Sequence, residues 1–239
     1  MSKPATKFVF EKSDKGLFAF METERLIIRS LSDGDFDCVV RLQSNEEVMR
    51  FVGVGGARDE ARIKEGFDSY RALWISGNPV SAYMIFQKKP DGSEGEFCGM
   101  AALETIKTRD GDVKKIEPGK AEVMLYFMPK FWGKKLGKEV LRGFFDMLSN
   151  LHSSGFPFQV EGNPLTKLIA TASPGNVDSI ALQRKSGFKE IGTKDVKKGD
   201  KFVPKTFFEF DLSAILSPST APSSVGDADK VAAVIRSKL

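Results

Sequence analysis

The period of the apolar positions changes several times along the chain, and each change marks an element. KFVFEKS and LFAFME flank the turn signal Asp14-Lys15-Gly16 and predict an N-terminal hairpin or extended arm. RLIIRSL, residues 25–31, reads as a strand. Asp33 is a candidate N-cap for a helix over 34–44, with Phe36, Val39, Val40 and Leu42 mostly on one face. GVGGARD is a flexible break. A longer helix follows over 58–76, carrying Ile63, Phe67, Tyr70, Leu73 and Trp74 at helical spacing.

The middle of the chain is strand-rich. SAYMIFQKK (81–89) and EFCGMAALE (96–104) are joined by PDGSEG, a hairpin-type connection. The polar stretch 107–120 reads as a loop. AEVMLYFM (121–128) is apolar almost throughout, as a strand buried on both faces should be. The helix after it runs to about Asn150 and buries Leu136, Val140, Leu141, Phe144, Phe145 and Leu148. A loop over 152–166 leads to strand KLIATA (167–172), and a helix over 179–187 closes on Gly187. KEIGTKDV and KTFFEFDL form a last hairpin around KKGDK. This order predicts a mixed α/β sheet with one parallel crossover, from 121–128 through its helix to 167–172. After Leu212 the composition shifts to a flexible linker, SPSTAPSSVGD, and a short amphipathic stretch, ADKVAAVIRSKL. The domain reading is therefore an N-terminal extension (1–22), one domain (23–212) and a tail (213–239), with no internal repeat.

Composition narrows the function classes more than it selects among them. The chain is 41% hydrophobic and 28% charged, which is ordinary for a globular protein. Its net charge of +4 permits an anionic ligand but is too diffuse for a nucleic-acid stripe, so the scattered lysines read as solvated faces. The cysteines Cys38 and Cys98 lie in apolar settings at no metal-ligand spacing and read as reduced core residues. A single histidine, His152, rules out multi-histidine metal sites, and no metal is expected. The N-terminus has no continuous apolar run of the signal-peptide kind, and no segment approaches a membrane span. The expectation is a soluble, cytoplasmic protein.

Two junctions could carry chemistry. In YFMPKFWGKKLGKEV (126–140), glycines 133 and 137 bracket lysines where a strand hands over to a helix. Exposed helix N–H groups, glycines that allow close approach, and Lys134, Lys135 and Lys138 suit phosphate. A plain tight connection with solvated lysines fits the same residues. In ATASPGNVDSIALQRKSGFKEIG (170–192), Asn176 and Ser179 lie where a strand end meets a helix start, a place that favours ligands in open α/β sheets. Simple capping of the helix accounts for them equally.

Taken in order, the two junctions resemble the GNAT N-acetyltransferase superfamily, and more narrowly its ribosomal-protein alanine N-acetyltransferase branch. The branch opens with T-x-R-L-x-L-R, matched by Thr23, Arg25, Leu26, Ile28 and Arg29, with an Asp soon after (Asp33 or Asp35). Its N-x-x-S…K-x-G-F element is similar to Asn176, Ser179, Gly187 and Phe188, with the lysine shifted back to Lys185. The resemblance spans roughly 23–212. One departure concerns the pyrophosphate loop, often W-G-x-G in this branch. Trp132, Gly133 and Gly137 fit, but Lys135 stands where a glycine is expected. Either its charge compensates or cofactor affinity falls.

The resemblance implies a largely antiparallel sheet with a splayed central strand pair, and acetyl transfer from acetyl-CoA to an amine without metal. It implies that backbone groups of Leu125 and Phe127 pair with pantetheine. Trp132, Gly133, Lys134, Lys135, Leu136, Gly137 and Lys138 would surround the pyrophosphate, and Asn176 would bind pantetheine. A strand N–H would polarise the thioester. Glu104 and Glu122 are the candidates to accept the amine's proton. A tyrosine common in the last helix of the superfamily is replaced by Gln183, which cannot act as an acid, and Ser179 is the proposed partner of the leaving thiolate. No cysteine or histidine is placed for a covalent intermediate, so direct transfer is expected.

The branch points to a protein N-terminal amine as acceptor, although relatives also modify small amines. Segments 45–78, 107–120 and 152–166 would set the choice, and none carries a readable motif. The rival reading is a GNAT-like CoA-binding module with reduced or no turnover, supported by Lys135 and the missing tyrosine. No membrane or nucleic-acid partner is expected, and a dimer is left open.

Overall fold

The computed structural model describes residues 7–53, 55–110, 113–156, 158–198 and 201–216. The N-terminal hairpin forms as β1 (Lys7–Ser13) and β2 (Gly16–Glu22), closed by Asp14-Lys15 with Ser13 opposite Gly16. Leu17, Ala19 and Met21 alternate into the core, so β2 sits on β3 (Leu26–Ser30) as part of the main sheet. Gly16 has φ +113°, and a Cβ there would strike the backbone of Trp74 and Ile75 at 2.6–2.7 Å, so only glycine fits this close approach.

The expected helix over 34–44 begins differently from the sequence reading. A 3-10 turn covers Asp33–Asp35, and α1 runs over Phe36–Gln43. Asp33, expected as the cap, instead accepts from Arg71 Nε at 2.7 Å. Asp35 takes the inner position. It receives Arg29 Nη1 and Nη2 at 2.7 and 2.8 Å, and Ser32 N and Oγ at 2.7 Å each. Burial would raise its carboxyl, but the Arg29 fork and the Ser32 donors outweigh burial and hold it below the usual carboxylate range. The second arginine of the T-x-R-L-x-L-R stretch thus ties β3 to the turn that launches α1.

A one-turn α2 (Glu46–Met49) and α3 (Glu60–Ile75) complete the first helical layer, with Asp59 capping α3 through Arg62 N at 2.8 Å. Strand β4 (Ala82–Lys88) pairs antiparallel with β5 (Glu94–Asp110), which pairs with β6 (Val113–Phe127). The stretch 107–120, expected as a loop, is therefore mostly a long hairpin arm. Its pairing shifts between Thr105 and Lys107, opposite the run Ile116–Ala121. Pro118 and Gly119 in that run break the ladder, and backbone pairing resumes on either side in a stretch whose polar sequence reads as a loop.

Next come α4 (Leu136–Ser153), the small hairpin β7 (Gln159–Val160) and β8 (Asn163–Pro164) inside the expected 152–166 loop, and β9 (Lys167–Ala172). Helix α5 spans Val177–Lys185, two residues earlier than expected, and β10 (Lys189–Lys198) and β11 (Lys201–Asp211) form the last hairpin. The sheet order is β1-β2-β3-β4-β5-β6-β9-β11-β10, and its one parallel neighbour pair is β6 with β9. Order continues past the expected start of the tail. Ser213–Leu216 form α6, held by Ser149 Oγ on Ile215 O at 3.0 Å. Residues 217–239 lie outside the described residues, as do Gly199 and Asp200 of the expected KKGDK turn. No described helix is long and apolar enough to cross a membrane.

Candidate active site

The parallel contact between β6 and β9 is short. It runs from Lys120 opposite Lys167 to Glu122 opposite Ile169 and stops. Beyond it, β6 continues to Phe127 and β9 to Ala172 without pairing to each other, so a fork opens in the middle of the sheet. Met128 N donates to Cys98 O at 2.9 Å, and Tyr126 faces Met100 in register, so even-numbered residues of β6 bond to β5. Alternation then turns the N–H and C=O groups of Val123, Leu125 and Phe127 into the fork.

Two strand–helix junctions form the ends of the fork, and they are built differently. After β6, a 3-10 turn (Pro129–Phe131) leads to Trp132, whose Nε1 donates to Phe127 O at 2.7 Å. The Arg50 guanidinium lies 5.5 Å from the Trp132 ring centre and 4.8 Å from that of Phe51. Gly133 has φ +71° with open space around it. Lys135 has φ 61° and ψ 18°, a left-handed conformation in a residue that has a side chain. That costs roughly 1–2 kcal/mol relative to glycine. The missing glycine therefore changes the residue but leaves the backbone shape that glycine would adopt. Helix α4 starts at Leu136 without a side-chain cap, so its first N–H groups stay open to a ligand. Leu136 itself is buried, and Lys134, Lys135 and Lys138 are exposed.

Gly137 has a different reason from the one its sequence position implied. A Cβ there would meet Leu182 Cδ2 at 2.8 Å and Leu125 Cδ1 at 3.8 Å. It allows α4 to pack on α5 and brings the two junctions together. At the second junction, Asn176 Oδ1 accepts from Ser179 N at 3.2 Å, so capping is present. Ser179 is half-buried beside it. Gln183 is buried, and its Oε1 has no hydrogen-bond partner among the described residues.

Glu104 and Glu122 are direct cross-strand partners on β5 and β6, so the structure brings the two carboxylates together on one face. Glu122 sits where the strands part, and Thr171 Oγ1 on β9 donates to its Oε1 at 2.6 Å. Glu104 accepts a short hydrogen bond from the Tyr70 hydroxyl of α3. Burial first, and then the charge of Glu104, pushes both the Tyr70 and Tyr126 phenols well above their ordinary pKa, so both hold their protons. Arg58 pulls the other way on both, and its Nη1 donates to Gln43 Oε1 at 2.8 Å. Tyr70, Arg58 and Thr171 were not singled out from the sequence. Tyr70 reads there only as one more residue on an apolar helix face, and nothing local marks the other two.

A family model described as an acetyltransferase (GNAT) domain matches residues 25–189. The chain belongs to the GNAT acetyltransferase family. The match runs from Arg25 through both junctions to the start of β10, so the whole fork lies inside the GNAT domain, and the protein's class is acyltransferase. No curated protein matches the chain by sequence. Similar solved structures include a GNAT-family acetyltransferase from Bacillus anthracis, with 17% identity over 81% of this chain and 99% of that one at TM-score 0.58. Spermidine N-acetyltransferase from Vibrio cholerae, in complex with CoA and spermine, shares 16% identity over 80% and 98% at TM-score 0.58. A Salmonella typhimurium acetyltransferase that modifies the N-terminal serine of a 50S ribosomal subunit protein shares 12% over 79% and 96%, also at TM-score 0.58. At these identities the likeness is one of fold.

Proposed function

We propose that this GNAT domain transfers acetyl from acetyl-CoA directly to a primary amine, and that its acceptor is a protein N-terminal α-amine. The observation that carries the reading is the fork with Glu122 at its closed end and the uncapped, left-handed loop at its open end. Open N–H groups from Gly133 to Lys138 suit a pyrophosphate, with Lys134, Lys135 and Lys138 adding charge and Trp132 walling one side. From there Leu125 offers its backbone N–H and C=O, and Phe127 its N–H, along β6 to a pantetheine chain, the Phe127 carbonyl being held by Trp132. The five residues back to Glu122 span roughly 17 Å at about 3.3 Å each. Bound acetyl-CoA supplies the activated acyl group, and everything else falls to the chain's own groups.

Glu122 accepts the proton of the incoming amine, directly or through water. Glu104, fixed by Tyr70, supports the same face and holds the ammonium form before deprotonation. A strand N–H of β6 polarises the thioester oxygen. Ser179 hydrogen-bonds the departing thiolate, and Asn176 offers its amide N–H groups to pantetheine while its oxygen caps α5. A peptide α-amine, at pKa roughly 7.7–8.0, loses its proton to a carboxylate more readily than a lysine at about 10.4. Arg58, whose charge acts on the same two phenols as that of Glu104, disfavours a polycation and suits an acceptor carrying peptide carbonyls. The free thiols Cys38 and Cys98 support a cytoplasmic setting.

The test is thiol release from acetyl-CoA with peptides bearing different free N-terminal residues, beside spermidine and lysine analogues. Turnover on peptides, lost on N-terminal blocking, is expected. Tight CoA binding without turnover on any amine establishes the binding-module reading instead, and turnover on spermidine alone replaces the acceptor class.

A further inference from the structure

The loop that carries Lys135 is held from outside. Arg25 lies just before β3, more than a hundred residues away in sequence, yet its guanidinium reaches both the loop and the helix behind it. Its Nε and Nη2 contact Glu139 Oε2 at 2.7 Å each, and its Nη1 donates to Lys134 O at 3.0 Å. The other oxygen of Glu139 is taken by Arg25 N at 2.8 Å and Thr23 Oγ1 at 2.6 Å. Glu139 sits in the first turn of α4, so these contacts fix that turn relative to the sheet.

The bond to Lys134 O has a consequence one residue on. A trans peptide is planar, with its C=O and N–H pointing opposite ways. Anchoring the carbonyl of Lys134 on Arg25 therefore turns the N–H of Lys135 away from Arg25 and sets the plane from which φ of Lys135 is measured. That residue is the one in the left-handed region, at φ 61°. A glycine would take this conformation unaided, whereas a lysine resists it.

We infer that Arg25 is a positioning residue for the cofactor loop. Its fork between Glu139 and Lys134 O holds the 133–135 backbone in the receiving shape and makes a non-glycine residue workable at 135. The inference rests on the acetyl-CoA reading above. The competing role is a plain tie between α4 and β3. The Arg25 side chain is 47% exposed but that of Glu139 only 14%, so loss of Arg25 also lowers stability, which the melts read separately from affinity. A loop role shows as a loss of affinity that glycine at 135 removes.

The experiment measures CoA affinity by titration calorimetry, with thermal melts alongside, for the full chain and four variants. Arg25→Ala should weaken CoA binding roughly tenfold, the scale of one charge-assisted hydrogen bond. Arg25→Lys, which keeps a charge near Glu139 but cannot bridge to both partners, should lose a similar factor. Lys135→Gly removes the Lys135 charge as well as the need for a clamp, so it serves as the reference for a glycine loop. In that glycine background, adding Arg25→Ala should change the affinity by less than about threefold. Rescue by glycine is a readout that a general tie between α4 and β3 would not give. If Arg25→Ala misfolds, Arg25→Lys carries the comparison. Affinity unchanged in both Arg25 variants, or an Arg25→Ala loss that persists in full in the Lys135→Gly background, overturns the inference. A parent chain that ignores CoA overturns the acetyl-CoA reading instead, and this inference with it.

Discussion

The two junctions of the fork solve one problem in opposite ways. Each must turn the chain from a strand into a helix and leave backbone groups facing the same gap. The junction after β9 uses its own residues, with Asn176 capping Ser179 N three positions on. The junction after β6 has no cap, adopts a left-handed lysine, and depends on Arg25 and on Glu139 bound by Thr23. A self-capped start has spent its acceptor on its own N–H groups. A start held from behind keeps its N–H groups for a ligand. On the proposed acetyl-CoA reading, the β6 junction takes the anionic part of the cofactor and the β9 junction its uncharged arm.

Breaking the contact between the junctions should have the largest effect. Gly137→Val forces side-chain atoms against Leu182 and should cost about 2 kcal/mol in urea unfolding, as overpacking does. Adding Leu182→Ala should return part of that loss, which a helix-propensity effect at 137 would not allow. Ser179→Ala should lower turnover about tenfold, the value of one hydrogen bond to a developing charge, with CoA affinity unchanged by calorimetry. Asn176→Ala should cost about 1 kcal/mol of stability as a lost cap and also weaken CoA use. Asn176→Asp keeps the capping oxygen but not the amide donor. It should restore stability in the melt and leave cofactor affinity low. If affinity returns as well, Asn176 is only a cap.

The smallest effect distinguishes the two backbones. Lys135→Gly should relieve a left-handed penalty of about 1–2 kcal/mol while adding chain entropy to the unfolded state of about 0.5–1 kcal/mol. A net stabilisation near 0.5 kcal/mol is expected in a thermal melt, and Lys135→Ala should leave stability unchanged. A destabilised glycine variant would mean that the lysine side chain, and not the backbone shape, is what the loop requires.

Much of this was legible in the residue pattern, for local reasons. Apolar alternation located β2, continuous apolar runs located β4 and β9, and helical spacing located α3 and α4. Alternation and helical spacing come from burial of one face, and the continuous runs from burial of both. The arm around 107–120 was not legible, because a polar stretch writes no apolar alternation, and Pro118 and Gly119 add a turn signal inside it. The site divides along the same line. Asn176 and Ser179 announce a helix start because capping is a three-residue affair. Tyr70 reads as an ordinary face residue, and its bond to Glu104 exists only once α3 lies across β5.

By itself the sequence determined most of the elements, the parallel crossover and the family, since each rests on short-range periods or on motifs a few residues long. Only the tertiary structure decided what those motifs are for. It showed that the Arg of T-x-R reaches Lys134 O and Glu139, that Gly137 makes room for Leu182, and that Lys135 takes a glycine's conformation. The physical reason is range. A cap or an apolar stripe is satisfied within one turn of helix or one strand. The shape of an uncapped loop is held by partners that only the packing of distant strands and helices brings within hydrogen-bond distance.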